Sequence, residues 1–270
     1  MSNPIPVSIS GFEHLLKPHR LVTIAGRYGH GAEIFAAQIA RHAAVDCGIP
    51  TTFTSCWSSE DHITARMVAA QAGVDYIHAL RGPCTADEEA RIAAVDEMLT
   101  GAPLFINTDC SLAGVTEHIA KTRAQLAVVE AAHLLATEEP FSDVKRSAED
   151  RASDLSRDLK ILAMRTEIPI VVTVPTLASD DVPAGTQGMP VMADLGDRWS
   201  FAGDSDTLIL AYRPDLFYGD NRPDEIDLAV AKDRFGTVRT VTARVEEQLQ
   251  RIVDFPPPGN VINFPSGGAS

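Results

Sequence analysis

Residues 21–35 read LVTIAGRYGHGAEIF. LVTIAG is a short apolar run ending in glycine, which predicts a buried strand entering a turn. From Ala32 onward apolar residues recur at helical spacing, at Ile34, Phe35, Ile39 and Ala43. A helix therefore begins near Ala32, and Gly48 serves as its C-terminal stop. Between strand and helix stand three glycines, Gly26, Gly29 and Gly31. Strand, glycine-rich loop and helix together build a phosphate cradle, because backbone amides at a helix N-terminus attract anions. Such a loop should close with Lys followed by Ser or Thr, and here Ala32 and Glu33 hold those places. From these residues alone a nucleotide site, a former nucleotide site and a plain glycine-rich turn all stay open.

The same alternation continues on either side. TTFTSC (51–56), PLFI (103–106), QLAVVE (125–130) and IPIVVTV (168–174) read as strands. SSEDHITARMVAA, with Ser58 or Ser59 as its cap, TADEEARIAAVDEML (85–99), SLAGVTEHIAKTRA and residues 148–166 read as helices between them. TLILAY (207–212), IDLAVAK (226–232) and TVRTVTARV (237–245) follow as strands with short connections. Strands alternating with helices predict an α/β fold with a mostly parallel sheet covered on both faces. The closing strands predict an antiparallel addition at one edge. Residues 1–10 read as an extension, 11–255 as one domain, and the Pro/Gly/Ser-rich residues 256–270 as a disordered tail.

The chain has 270 residues, long enough to bury a full core without covalent staples. Its four cysteines, Cys47, Cys56, Cys84 and Cys110, include no C-x-x-C pair, which argues against zinc and a disulfide framework. No apolar run reaches the roughly 20 residues of a membrane helix, and the N-terminus lacks a signal-peptide pattern. The expectation is a cytoplasmic protein without a membrane partner. The net charge of −14 disfavours tight binding of a phosphate backbone by a lone monomer, while a local basic strip stays compatible with it.

Taken in order, GFEHL (11–15), IAGRYGHGAEIFAAQIA (24–40), SSEDHITARMVA (58–69), LAVVEAAHLL (126–135), DLSRDLKILAMRTEIPIVV (154–172), DLGDRWSFAGDSDTLILAYRPDLFY (194–218) and AKDRFGTVRTV (231–241) resemble the RecA-like motor domain of DnaB-type replicative helicases. The ordered series carries the resemblance, because the most diagnostic motif is broken. It implies a RecA-like sheet, a nucleotide at the loop of residues 26–33, and assembly into a ring. With only about ten residues before Gly11, the expectation is a chain without the family's N-terminal domain and linker helix.

The resemblance also assigns roles. Gly26, Arg27, Gly29, Gly31, Ala32 and Glu33 take the phosphate-loop positions, with Ala32 where the lysine belongs and Glu33 where the Mg²⁺-binding hydroxyl belongs. Losing a cation and adding an anion changes the local charge by two units. At about 5 Å and an effective dielectric of about 20, each unit is worth roughly 3 kcal/mol. Cys56 takes the place of the water-activating carboxylate, where a thiol is no substitute and a small buried hydrophobe is the ordinary role. Glu130 takes the metal-associated acid position, and an acid closing a strand is the equal alternative. The polar sensor beyond the next strand falls near Pro175 and Thr176. Lys232 and Arg234, spaced Lys-x-Arg-x-Gly, match the cations that reach into a neighbour's site. On composition alone they are two solvated cations of a hairpin.

The inner loops of the resemblance fall at 136–150 and 178–193. Lys145 and Arg146 stand there, with Arg151 just past the first loop, against Glu138, Glu139, Asp143, Asp180 and Asp181, and Phe141 reads as a loop anchor. No stacking platform for single-stranded DNA is visible. The tail segment VINFP reads as a solvated terminus, with a sheet-edge docking peptide as its rival.

The reading is of a catalytically degenerate RecA-fold protein of DNA replication, working through self-association or contact with an active DnaB-type helicase. No cofactor or metal is expected under it. A divergent helicase with a rearranged site, using ATP and Mg²⁺, is the alternative, and a binder of another ligand in the same crevice ranks third.

Overall fold

A computed structural model describes residues 4–136, 147–177, 188–216 and 222–255. Among these, nine strands form one sheet. They are β1 (Leu21–Gly26), β2 (Thr51–Ser55), β3 (Leu104–Asn107), β4 (Leu126–Glu130), β5 (Ile170–Pro175), β6 (Thr207–Tyr212), β7 (Glu225–Asp233), β8 (Arg239–Glu246) and β9 (Arg251–Val253). The order across the sheet is β3-β2-β4-β5-β1-β6-β7-β8-β9. The first six are parallel, and β7, β8 and β9 add antiparallel at one edge. This is the RecA-like α/β architecture that the resemblance implies.

The residues of β1 show why the sheet is covered twice. Val22 and Ile24 point to one face and pack with Phe35 of helix α1 (Ala32–Arg41) and with Phe53 and Met67. Leu21 and Ala25 point to the other and pack with helices α5 (Leu112–Thr122) and α6 (Ala148–Thr166). Alternate residues serve opposite cores, so a central strand reads as a continuous apolar run. Helices α2 (Glu60–Ala72), α3 (Tyr76–Arg81), α4 (Ala86–Gly101) and α7 (Trp199–Asp204) complete the fold. The first helix ends sooner than its periodicity suggests, continuing as a π-turn over His42–Asp46. Helix α2 starts after Ser59, whose side chain makes no cap bond.

The described part of the N-terminal extension is packed on the domain. Ile9 is buried, Ile5 bridges to Leu16, and Ser10 bonds Asp254. The tail and most of both inner loops, including Phe141, Lys145 and Arg146, lie outside the described residues, as do Asp180 and Asp181.

β1 lies between β5 and β6, with its loop at the carboxyl end of the strand. Open parallel sheets form their ligand crevice at that end.

Candidate functional site

The loop after β1 keeps a tight shape that depends on glycine. Gly29 and Gly31 have φ of +80° and +88°. A Cβ on Gly26 would lie 3.0 Å from the Ala211 carbonyl oxygen, and one on Gly31 would lie 2.6 Å from Ile226 Cδ1. The His30 amide donates to the Arg27 carbonyl at 3.0 Å. The His30 ring is buried, stacks on Tyr212 and accepts the Arg213 amide at Nδ1, 3.1 Å away. Burial, then the positive charges of Arg27 and Arg213, pull its pKa down to about 4. The imidazole is therefore neutral at pH 7 and works as an acceptor. Arg27 reaches across to donate to the Gly188 carbonyl at 3.1 Å.

Ala32 is buried, and Glu33 follows it in the first turn of α1. A carboxylate suits that place against the helix dipole. Burial nevertheless raises the Glu33 carboxyl above its ordinary range, with Glu130 adding to the effect and Arg66 opposing it. Among the described residues no cation forms an ion pair with Glu33.

Glu130 closes β4 with 1% of its surface exposed. Both carboxylate oxygens are engaged. Ser55 Oγ donates to Oε2 at 2.5 Å, and Arg66 of α2 donates to Oε1 in an ion pair of 2.5 Å. The Ser55 hydroxyl also accepts the amides of Trp57 and Ser58, which fixes the turn after β2. The Ala131 amide donates to Thr173 Oγ1 at 2.8 Å.

Above this floor lies a cavity of about 450 Å³ lined by Tyr28, Glu33, Trp57, Arg66, Glu130 and Pro175 among others. Tyr28 and Trp57 stack at its mouth, with ring centroids 5.9 Å apart and planes at 28°. They are 62% and 67% exposed. His62 Nδ1 lies 2.6 Å from the Tyr76 hydroxyl on the adjoining wall. His133 also lines the cavity, and burial followed by Arg198 lowers its pKa to about 4.

Just beyond β2, Trp57 lines the crevice and Cys56 does not. β2 ends at Ser55 and the chain turns there, so alternation no longer says which side chain faces the loop. Cys56 packs against the second core instead. Burial, then the Cys110 thiol, pushes its own thiol well above the ordinary range, as befits an inert group. Pro175 ends β5 at the crevice, and the amide of buried Thr176 donates to the Gly26 carbonyl at 3.0 Å.

Lys232 and Arg234 sit at the opposite end of the sheet. Gly26 is paired with Ala211 at the far end of β6, whereas Lys232 is paired with Leu208 near its start. The crevice and these cations thus face away from each other within one chain. Lys232 is half-buried and donates to the carbonyls of Ala202 and Gly203, at 2.6 and 2.7 Å, closing the end of α7. It is not the solvated hairpin cation that composition alone suggests. Burial lowers its pKa, with Asp206 opposing. The Arg234 side chain is 65% exposed and its guanidinium lies 3.5 Å from the Asp206 carboxylate, while its amide donates to the Asp206 carbonyl at 2.8 Å. Asp206 itself accepts the Leu21 amide and Lys160.

Both oxygens of the buried Glu130 carboxylate are engaged by Arg66 and Ser55, and the first turn of α1 presents the Ala32 methyl and the Glu33 carboxylate. Among the described residues no group of three His, Cys, Asp or Glu side chains could hold a metal ion. None of their helices is long and apolar enough to cross a membrane. The residues that sequence reasoning missed are Tyr28, Trp57 and Arg66. An acid buried at a strand end calls for a counter-charge, but the sequence does not single out Arg66 as its source.

Comparison with known proteins gives one consistent result. The model of the DnaB-like helicase C terminal domain matches residues 8–254. Replicative DNA helicase DnaB of Leifsonia xyli subsp. xyli is 26% identical over 264 residues, covering 94% of this chain and 56% of that protein. Its counterpart from Mycobacterium leprae is 29% identical over 221 residues, covering 79% of this chain and 36% of that protein. The chain thus spans about half or less of the length of these curated relatives. Among solved structures, an ATPase domain superposes with a TM-score of 0.81 at 18% identity, covering 94% of this chain and 93% of that one. A DnaB-like replicative helicase, described with its interactions with primase, gives the same TM-score and identity over 94% of this chain and 63% of that one. At such identity these two likenesses speak for the fold alone.

Proposed function

The chain belongs to the DnaB-like helicase C-terminal domain family, and from that membership we propose that it acts in DNA replication as a catalytically silent member. In this reading it works through protein contacts, with further copies of itself or with an active helicase of the same family. The observation that carries the reading is the Glu130–Arg66 ion pair beneath Glu33, which no cation pairs among the described residues. An active site needs a lysine and a hydroxyl at the start of α1 and an acid free to approach a metal. This crevice supplies a methyl, a carboxylate and an acid already bound to a guanidinium. The altered groups stand together in one site, so restoring a single one leaves the others opposed to phosphate.

Calorimetric titration with Mg-ATP to millimolar concentration tests it. The expected result is no detectable heat. Binding tighter than about 100 μM, roughly −5.5 kcal/mol, or hydrolysis abolished by Glu130→Ala, would overturn it.

A second reading, a divergent ATP-dependent DNA helicase, is favoured by two features. Arg234 is exposed at the end of the sheet away from its own crevice, as a cation directed at another chain would be, and the cavity has a volume of about 450 Å³. DNA-stimulated hydrolysis that disappears in Arg234→Ala would establish that reading in place of the first.

A further inference from the structure

The chain carries 37 acidic and 23 basic residues, yet one cavity has the reverse balance. It lies between the segment that enters β1 and the β7–β8 hairpin, at the end of the sheet away from the crevice. Its volume is about 250 Å³, and Lys17, Arg20, Arg239 and His14 line it against one carboxylate, Asp233. That carboxylate already accepts the Phe235 amide at 3.0 Å and rests against Gly236.

Arg20 is the informative residue. It is 8% exposed, its guanidinium lies 4.6 Å from the Phe235 ring centroid, and Nη1 donates to the His14 carbonyl at 3.0 Å. Among the described residues neither Arg20, Lys17 nor Arg239 has a carboxylate within ion-pair distance. Arg239 donates to the Gly11 carbonyl and lies 5.9 Å from the centroid of the Phe12 ring. A cation this buried without a counter-charge is costly. A fold that retains one at a cavity wall beside two further cations is arranged for an anion.

A second observation points the same way. Thr207 lines the cavity, and its hydroxyl is buried with no hydrogen-bond partner among the described residues. Buried hydroxyls nearly always have one. An oxyanion in the cavity would accept from the hydroxyl and from the guanidinium together.

The geometry points to a phosphoryl-binding site, formed by Arg20, Lys17 and Thr207 with Arg239 at the rim. Planar guanidinium donors beside an ammonium point charge are phosphate-recognition chemistry. The phosphoryl group comes either from a small phosphate ester or from the backbone of a single strand. The site is separate from the crevice, so its test does not depend on whether the crevice binds nucleotide.

The test is thermal unfolding of the full chain in sodium phosphate against sodium chloride at matched ionic strength, with inorganic phosphate as the probe. The midpoint should rise and saturate in phosphate. Arg20→Met keeps the bulk over Phe235 and should abolish the rise. Lys17→Ala and Thr207→Val should each weaken apparent binding about tenfold or less, and they serve if Arg20→Met does not fold. Lys121→Ala, a cation on α5 elsewhere on the surface, should bind phosphate as the parent does. Anisotropy with labelled oligothymidylate separates the two sources. Strand binding lost in Arg20→Met and displaced by phosphate assigns the backbone, whereas phosphate binding without strand binding assigns a small ester. No saturating rise, or the same rise in all variants, overturns the proposal.

Discussion

Arg66 and Glu130 form an ion pair 2.5 Å long on the floor of the crevice, on side chains 13% and 1% exposed. Each is the other's main counter-charge in a place where water screens little. Removing one partner therefore strands the other. Arg66→Met should destabilise the fold by about 3–5 kcal/mol, the usual result of uncovering a buried charge. Glu130→Gln on that background should recover much of the loss, because the remaining neutral amide can still accept from Ser55. Urea unfolding of the two single variants and the double variant measures the coupling. Additive losses would mean that the pair does not hold Glu130.

The altered loop can be tested by restoring it. Ala32→Lys with Glu33→Thr changes the local charge by two units in favour of phosphate, each worth roughly 3 kcal/mol at about 5 Å and an effective dielectric of about 20. The backbone shape is already present, so the double variant should bind ADP where the parent gives no heat. Hydrolysis should remain absent, because Arg66 still holds Glu130 and Trp57 still stands at the crevice beyond β2. Calorimetry and a phosphate-release assay on the same sample distinguish the two outcomes.

Stability should depend on pH through His30 and His133. Both have folded pKa values near 4, below the ordinary 6.5. Between those values the unfolded chain binds protons that the folded chain refuses. Their contribution is present above pH 6.5 and is lost as pH falls toward 4. It amounts to up to about 3 kcal/mol for His30 and less for His133, whose ring is more open to screening by solvent. Glu33 acts oppositely, since its raised carboxyl favours the folded state as pH falls through its own range. Unfolding free energies at pH 7 and pH 4.5 should differ less in His30→Asn than in the parent. An unchanged difference would remove His30 from the account.

The fold was legible wherever apolar periodicity ran long enough. β6 and α6 fall where the pattern puts them, at 207–212 and 148–166. Helix α3 has six residues and none buried, so it leaves no periodic trace. β9 has three residues, too short for a pattern and visible only through pairing with β8. At the site, the glycines, Glu33 and Glu130 were readable because each is defined by its local place on a strand or helix. Arg66 and Trp57 were not. The Arg66 contact joins residues 64 apart in sequence, and Trp57 follows a turn that breaks strand alternation. Lys232 looked free because its acceptors are backbone carbonyls of a different element.

Glycine is required unequally within the loop. Gly31→Ala places a Cβ at positive φ and against Ile226, where Gly29→Ala meets positive φ with nothing within 4 Å. The left-handed backbone alone costs roughly 1–2 kcal/mol. Gly29→Ala should cost about that much, and Gly31→Ala about 1–3 kcal/mol more from overpacking. Thermal unfolding of both ranks them, and equal losses would show that Ile226 moves aside freely.

Lys232 and Arg234 should separate a structural cation from one directed at a partner. Lys232→Met removes two donors from the carbonyls at the end of α7 and should destabilise by about 1–3 kcal/mol. The Arg234 side chain is mostly exposed with one long contact to Asp206, and its amide bond to the Asp206 carbonyl survives truncation to alanine. Arg234→Ala should therefore unfold within about 0.5 kcal/mol of the parent. Any effect on assembly must then come from contact with another chain. Sedimentation of the parent and both variants, at matched folded concentration and with an active helicase of the family added, reads that contact. Weaker association of Arg234→Ala with unchanged stability is the expected outcome. Equal association of all three proteins would place the partner surface elsewhere.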